Sequence, residues 1–345
     1  MKTILTLFCA FMLSTACAQQ TEPTLVRVMY NFTHIEDTTH RDKPHVENMM
    51  LLAGKNASVY MSYDGIAHSA NLQVERQEYL KKGFTQQEIN DQFRARSASN
   101  PTTSDIQMFF FAKEQKYYYK SDICMNGCMV QAETDKIDWK IKKDTLSFSG
   151  IHCQMATANY KGRNWVAWFA PEMPFASGPW KLQGLPGLIV DAYDIKKEVQ
   201  FKFAGLEKVK EGDLVNENAK NISADYMKIW GDIMLGLKID HVGLPPQREV
   251  RHGGSIQVTE KEFEKLKIEH DKDPQGFEDA QMIANGMGAI VTARANGTIP
   301  AGSVGVSGRT DANGIFHPTQ TIAPKPMPVA PKVVVNNPIE LPEKK

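Results

Sequence analysis

The sequence predicts a mainly β protein of the α+β class, in which an antiparallel barrel-like or sandwich-like sheet carries a helical insert and C-terminal helices. About ten short segments alternate apolar and polar residues or concentrate β-branched and aromatic ones, and short turns separate them. The stretch 72–96 interrupts this pattern with helical signals. Strands do not alternate regularly with helices, so a doubly wound parallel sheet is not expected.

The first strand shows the alternation most clearly, with Val26, Val28, Tyr30 and Phe32 on one face. A hairpin is expected next, across the turn at 54–56. The predicted strands after the first are 49–53, 57–63, 105–112, 115–121, 137–141, 145–149, 152–160, 163–170, 188–194, 199–204 and 206–209.

Within the insert, Thr85 and Glu88 have the spacing of a capping box, in which each side chain accepts a backbone N–H of the other residue. Phe84 and Ile89 have the spacing of a hydrophobic staple. We therefore expect a helix to begin at Gln86, preceded by a shorter helix. The β-rich domain with its insert should span 19–210.

Beyond this domain, we expect a helical extension over 211–270. Apolar residues recur with helical spacing at 224–237, and Thr259 with Glu262 forms a second capping box. The apolar pattern thins from about Asp271. Seven prolines lie between 318 and 342. Together these features predict a low-order, Pro-rich tail over 271–345.

The first 18 residues have the features of a secretory signal peptide, with Lys2 ahead of an apolar run at 4–13 and a cleavage site at Ala16-Cys17-Ala18. The alternative is a lipoprotein signal with Cys17 as the lipidated residue. We expect an exported protein, periplasmic or associated with the outer membrane. No later stretch is apolar enough to predict a transmembrane span.

Composition and motifs favour non-catalytic binding. Forty basic and forty acidic residues give no net charge, which removes the sequence-wide argument for nucleic acid as a partner. No catalytic or cofactor-binding signature is present, so no cofactor is expected. The expected partner is an envelope protein or an apolar small ligand. An enzyme of unrecognised class, using His152 or Cys153 beside Arg163, is an alternative.

An aromatic hairpin is the principal candidate binding site. Trp165, Trp168 and Trp180 lie close in sequence to Arg163 and Lys181. Such aromatics commonly fill a core. Alternatively they form a platform for an apolar ligand or partner, with the two cations anchoring a carboxylate.

The cysteines allow a metal-handling alternative. Cys124, Cys128, His152 and Cys153 offer soft ligands suited to zinc or copper(I). A disulfide with one buried free cysteine is the simpler interpretation in an exported protein. A metal site is therefore not the favoured prediction.

Three histidines, His34, His40 and His45, lie among acidic residues within 34–47. They could bind a divalent cation. The polar context instead favours a solvated surface.

A corner at 178–191 feeds a buried strand. Leu185-Pro186-Gly187-Leu188 fits a type II turn, since proline presets φ at the first central position and glycine allows positive φ at the second. Gly184 is expected where the backbone approaches a neighbour closely. The structural motif consists of Gly184, Leu185, Pro186, Gly187, Leu188 and Ile189.

This hexapeptide and the motifs before it resemble the GLPGLI family, exported proteins of Gram-negative bacteria named for that sequence. The resemblance is specific over about 150–195 and extends over 24–210. It implies export and a β-rich fold, and it implies no activity. The matching motifs are Cys153, Gly162-Arg163, Ala167-Trp168-Phe169, Pro171 with Pro174, Gly178-Pro179-Trp180-Lys181 and the hexapeptide.

Overall fold

The computed structural model describes residues 24–97, 103–104, 106–121, 123, 128–209, 256–284, 288–296, 307–310, 316–320 and 335–342. The predicted signal peptide and the predicted helix at 224–237 lie outside these residues. None of the helices among them is long and apolar enough to cross a membrane.

Twelve strands form one open sheet in the order β12-β6-β5-β4-β3-β2-β1-β11-β10-β9-β8-β7. Neighbours are antiparallel except β12, which runs parallel to β6. A separate hairpin joins β13 and β14. The strands are β1 Val26–His34, β2 His45–Ala53, β3 Ala57–Ser62, β4 Gln107–Phe111, β5 Lys116–Ser121, β6 Cys128–Glu133, β7 Lys140–Phe148, β8 Ile151–Tyr160, β9 Arg163–Ala170, β10 Leu188–Asp194, β11 Val199–Lys208, β12 Ile256–Thr259, β13 Ser307–Thr310 and β14 Phe316–Gln320.

The predicted mainly β fold class is confirmed. The sheet does not close into a barrel, because β7 and β12 are both edges. Its main hydrophobic core lies along the alternating inward positions of β1 and β8 to β11, with Trp165 and Phe201 stacked near the centre. Phe32 stacks on Phe201 from the neighbouring strand, at 5.1 Å between ring centroids. The same face continues to the loop before β10.

The sheet differs from the sequence prediction in several details. The strand β12 was not predicted, and neither was β6, in which apolar–polar alternation is confined to 130–133. The predicted turn at 142–144 is an irregularity inside the single strand β7, where the register shifts between Ile141 and Thr145. The segments 199–204 and 206–209 likewise belong to one strand, β11, whose Gly205 lies opposite the register shift in β1.

The insert consists of α1 Tyr63–Lys81 and α2 Gln86–Ser97. The second helix begins at Gln86 as predicted, and Thr85 N donates to Glu88 at 2.8 Å. The first begins well before residue 72. Ser62 ends β3 and caps α1, since its hydroxyl accepts from Gly65 N at 2.8 Å.

The C-terminal region is more ordered than the predicted tail over 271–345. The helix α3 Glu260–Lys272 begins after Thr259 with the expected capping box. Two further helices follow, α4 Pro274–Ala284 and α5 Gly288–Ala295. Residues 335–342, which we call the tail segment, pack on the sheet domain. The prediction of a low-order tail over 271–345 is therefore wrong for α4, α5 and the tail segment.

Candidate functional site: a groove that holds the tail segment

Arg163 is the centre of the site. It is the first residue of β9, directly after the tight turn Lys161-Gly162, and its alternation with Trp165 directs it to the inner face. Only 2% of its surface is exposed. The Nη1 atom donates to Asp194 Oδ2 at 2.9 Å and Glu198 Oε2 at 3.3 Å. A buried guanidinium is thus neutralised by two carboxylates from the β10–β11 turn.

Both carboxylates are themselves fixed. Asp194 Oδ1 accepts from the backbone N–H groups of Glu198 and Val199, at 2.7 and 3.0 Å. Glu198 also accepts from Arg41 at 3.0 Å. Burial raises the pKa of Glu198, but hydrogen bonds from Arg41 and Arg163 outweigh it and leave that pKa below its ordinary value. The guanidinium is therefore held rigidly in one orientation.

The tail segment takes the remaining donors of Arg163. The Nε atom donates to Ile339 O at 2.8 Å, and Nη2 donates to Asn337 Oδ1 and Pro338 O, each at 2.7 Å. With the two carboxylates, the five guanidinium N–H groups face five acceptors. Arg163 therefore has no donor left for the carboxylate of an added ligand. Anchoring of such a carboxylate was one alternative in the sequence analysis.

Asn337 is the most deeply held residue of the tail segment, with 5% of its surface exposed. Its Nδ2 donates to Ile35 O at 2.6 Å, and its backbone N–H donates to Glu36 O at 2.9 Å. Its carbonyl lies 2.7 Å from His34 Nε2. A carbonyl only accepts, so His34 Nε2 carries the proton.

Lys181 and the β8–β9 turn hold the other end of the tail segment. Lys181 Nζ lies 2.6 Å from Glu340 Oε1 and also covers the ring of Tyr117 at 5.4 Å. Leu341 N donates to Lys161 O at 3.0 Å. A Cβ at Gly162 would meet Leu341 O at 2.6 Å, so only glycine fits there. We call this surface, formed by His34, Lys161, Gly162, Arg163 and Lys181, the groove.

Burial dominates the electrostatics of His34. It lowers the pKa of this histidine, and Arg163 and His45 lower it further, while the hydrogen bond to Asn337 and the nearby Glu36 raise it. The net pKa is below the ordinary value. His34 therefore holds the tail segment as a neutral imidazole.

Trp165 and Trp180 support the groove from beneath. Trp165 is fully buried, donates to Tyr160 O at 3.1 Å and lies 5.7 Å from the ring of Trp180. Trp180 has a left-handed backbone (φ 52°), a conformation that costs on the order of 1 kcal/mol for a bulky residue. Packing against Trp165 and Tyr160 holds it there, directly before Lys181.

Trp168 does not join the other two tryptophans. It occupies the alternate position on β9 and is half-buried beside Phe148, at 6.4 Å between ring centroids. The three tryptophans therefore form no common platform. Two are core residues, and one lies on the other face of the sheet.

The hexapeptide corner is a packing element. Leu185, Leu188 and Ile189 are buried, and Ile189 N donates to Ser177 O at 2.9 Å. The predicted type II turn is wrong, because Gly187 N donates to Leu185 O at 2.8 Å and closes a tighter turn around Pro186.

The two glycines of this corner have different roles from those predicted. Gly187 is the residue that approaches a neighbour closely, since a Cβ there would clash with the carbonyl of Ala170. Gly184 has the left-handed conformation, with φ 88° and open space where a Cβ would lie. Both explanations concern the fold, and neither requires a ligand.

The predicted soft metal ligands are not brought together among the described residues, and Cys124 lies outside them. Cys128 is disulfide-bonded and offers no thiolate. Cys153 is free and buried, and burial raises the pKa of its thiol to about 11. His152 is exposed on the opposite face of β8. No group of three or more His, Cys, Asp or Glu among the described residues could hold a metal ion.

A second buried charged cluster surrounds Glu47 on β2. Its carboxylate accepts from His45 Nε2 at 3.0 Å, from the Ser62 hydroxyl and from Ser104 N at 2.9 Å. Burial raises the pKa of Glu47, and these hydrogen bonds outweigh it and lower that pKa below the ordinary value. The expectation of a solvated surface at 34–47 is therefore wrong for His34 and Glu47. Sequence alternation within β2 was the signal available for Glu47.

A cleft of about 550 Å³ opens beside Lys181 and the tail segment. It lies between the β5–β6 strands and the β8–β9 turn. Its walls include Tyr117, Glu133, Tyr160, Lys161 and Glu260.

The fold and the site together define a β-sheet protein whose groove holds residues 335–342 of its own chain. A family model described as a protein of unknown function (Porph_ging) matches residues 60–191, from β3 to β10. The match includes Arg163, Lys181 and the hexapeptide. No curated protein matches this chain.

Two solved structures are similar at a low level, both described as PNGF-II, in space groups P21 and C2. They align with TM-scores of 0.41 and 0.40 at 9% and 8% identity, covering 70% of this chain in each case. This chain spans about a third of their length, 33% and 32%.

Proposed function

We propose that this is an exported envelope protein of the GLPGLI family that binds a peptide segment, without catalysis, in the groove. The family assignment is supported by the hexapeptide at 184–189 and by the matching model over 60–191. Export is supported by the apolar run at 4–13 and by Ala16-Cys17-Ala18.

One observation carries the binding proposal: three acceptors of a single distant segment converge on Arg163. Two carboxylates fix the guanidinium and leave its Nε and Nη2 donors aimed into the groove. Buried donors of a charged group are costly to leave unpaired. The ligand that suits them is a peptide segment that turns several acceptors towards Arg163, as residues 335–342 do.

The aromatic residues act in this proposal through Arg163 and Lys181. Trp165 and Trp180 form the floor that fixes both cations. Lys181 pairs with a carboxylate, and that carboxylate is Glu340 of the chain itself. An envelope protein with a suitable segment fits the groove.

The binding test uses the full mature chain with Asn337→Ala, which weakens the internal tail segment, and a fluorescent peptide with the sequence of residues 333–345. We expect saturable binding measured by anisotropy, and at least tenfold weaker binding to the wild-type chain, whose groove is filled. A scrambled peptide is the control. Equal binding of the scrambled and native peptides would contradict the proposal.

Export has its own test. Fractionation of cells that express the full chain should place it in the periplasm or the outer membrane. A Cys17→Ser variant separates the two alternatives: loss of membrane association and of lipid labelling indicates a lipoprotein, and an unchanged soluble fraction indicates cleavage before Gln19. Retention in the cytoplasm would contradict export.

A further inference from the structure

We infer that the groove recognises a specific sequence, asparagine followed by proline, an apolar residue and an acidic residue, and that the tail segment is an internal copy which a partner must displace. This inference rests on the proposed function. The partner is another protein that presents such a segment. Asn337-Pro338-Ile339-Glu340 is the pattern as this chain carries it.

The position of Asn337 requires a side chain that donates one hydrogen bond and accepts another. Asn337 Nδ2 must donate to Ile35 O, and Oδ1 must accept from Arg163 Nη2. An aspartate would place an acceptor against the Ile35 carbonyl. A glutamine carries the same groups on a side chain longer by one methylene, which the buried site does not accommodate.

The Pro338 position supplies a carbonyl, which a residue of any type offers, so proline is favoured there only by its backbone properties. Pro338 O accepts from Arg163 Nη2, and proline has no N–H that would need a partner beside a guanidinium. Its fixed φ also reduces the number of conformations that the free segment samples. A less flexible segment loses less entropy on binding.

The positions of Ile339 and Glu340 select for the shape and the charge of the side chain. Ile339 packs against the main hydrophobic core, while its carbonyl accepts from Arg163 Nε at 2.8 Å. Glu340 pairs with Lys181, whose side chain is 18% exposed. The first of these positions should favour apolar side chains strongly. The second should favour an acid weakly and in a salt-dependent manner.

Backbone contacts on both sides of the motif fix its register. Asn336 N and Asn337 N both donate to Glu36 O, at 3.0 and 2.9 Å, and Leu341 N donates to Lys161 O at 3.0 Å. Gly162 admits the chain at Leu341 and would exclude it if a Cβ were present. A shift by one residue in one direction would place Pro338 at the position of Asn337, and a shift in the other would place Asn336 there and move Asn337 to the position of Pro338.

A partner segment competes with a tethered one. Tethering gives the tail segment an effective concentration of up to about millimolar in the groove. A partner therefore needs higher affinity, or several contacts at once, to replace it. The tail segment sets a threshold for binding, and weak matches are rejected.

The test measures displacement of the fluorescent 333–345 peptide from the full chain carrying Asn337→Ala, after circular dichroism has established that the variant is folded. The competitors are the unlabelled peptide and its Asn337→Asp, Asn337→Gln, Ile339→Ser and Glu340→Lys forms. We expect the first three variants to compete at least tenfold more weakly. The Glu340→Lys peptide should lose three- to tenfold, and less at 0.5 M salt.

The outcomes distinguish the two proposals. Binding of the parent peptide with equal competition by all variants would overturn the recognition sequence and leave the peptide groove intact. No binding of the parent peptide to a folded protein would overturn both. If the Asn337→Ala variant does not fold, hydrogen exchange of 335–342 is measured in the wild-type chain instead. An excess of the parent peptide must then accelerate exchange at 335–342. The Asn337→Asp peptide must leave that exchange unchanged.

Discussion

Two buried charged clusters lie in the same sheet, around Glu47 on β2 and Arg163 on β9, and differ in where their partners come from. Glu47 is satisfied within the sheet domain, by groups of β2, β3 and Ser104. Arg163 takes two acceptors from the domain and three from the tail segment, 174 to 176 residues away in sequence. The clusters meet at the cross-strand pair His34 and His45, with the ring of Phe32 about 6 Å from both, at 6.1 and 5.9 Å.

This difference shows how a binding surface can be recognised when its own chain occupies it. A structural cluster such as that of Glu47 is closed by residues that the fold already brings together. The Arg163 cluster is preorganised by the domain and completed from elsewhere. Variants that affect one cluster and spare the other should therefore separate domain stability from tail binding.

Arg163→Met should have the largest effect. It retains much of the volume but leaves Asp194 and Glu198 buried without their cation, so we expect a loss of about 3–5 kcal/mol in the free energy of unfolding, together with release of the tail segment. Chemical denaturation and hydrogen exchange measure the two effects. The matched control is Arg41→Met, at an arginine whose side chain is 49% exposed, which should cost at most about 1 kcal/mol.

Glu47→Gln should lower the free energy of unfolding by about 1–3 kcal/mol, because an amide replaces the carboxylate that accepts from His45, Ser62 and Ser104 N. Hydrogen exchange of 335–342, measured under conditions where the variant is folded, should match wild type. Release of the tail segment in this variant would show that the two clusters are not independent.

Asn337→Asp should act on the tail segment alone. The carboxylate meets the Ile35 carbonyl and lies near Asp194 and Glu198, so we expect a local loss of about 1–3 kcal/mol in protection at 335–342. Exchange at 45–62 should stay unchanged. Asn159→Asp, at an exposed asparagine of β8, is the control for the added charge.

Acidification should affect the clusters in opposite ways. The pKa of His34 is lowered by burial, so its contribution is complete above the ordinary histidine pKa and is lost as pH falls through the lowered value. The pKa of His45 is raised by its hydrogen bond to Glu47, so its contribution is complete below the ordinary value and is lost as pH rises through the raised value. The lowered pKa of Glu47 keeps that carboxylate ionised over this range.

Between pH 7.5 and pH 5.5, the tail segment should therefore lose protection while the Glu47 cluster gains it. Hydrogen exchange at 335–342 and 45–62, corrected for the intrinsic effect of pH, measures both. His34→Gln should abolish the pH dependence at the tail segment alone. A parallel change in both regions would refute the assignment.

Glu340→Gln should have the smallest effect, at most about 1 kcal/mol, because the pair with Lys181 is partly exposed and screened by salt. Binding of the labelled tail peptide at 0.05 and 0.5 M salt measures it. The wild-type peptide should lose affinity with salt, and the Glu340→Gln peptide should lose less.

The sheet could be predicted from the sequence because the evidence for its strands is local. Alternation along β1 and the capping boxes at Thr85 and Thr259 depend on residues only a few positions apart, and each is present in the structure. The early start of α1 was missed because Ser62 serves both as the last strand residue and as the helix cap.

The groove could not be predicted in the same way. The sequence analysis named Arg163 and Lys181 as candidate residues, and their contacts with the tail segment were missed because no local pattern connects them to Asn337. A short Pro-rich segment also resembles disorder in composition. The burial of His34 and Glu47 follows from long-range packing of a kind that charge and polarity alone do not indicate.

The distance in sequence between the groove and its occupant has a consequence for the order of events during biosynthesis. A chain emerges from its N-terminus, so Arg163, Asp194 and Glu198 are available long before residues 335–342 are made. At about 5–20 residues per second, the interval is on the order of ten seconds. The tail segment can enter the groove only after the sheet domain that forms it has been made.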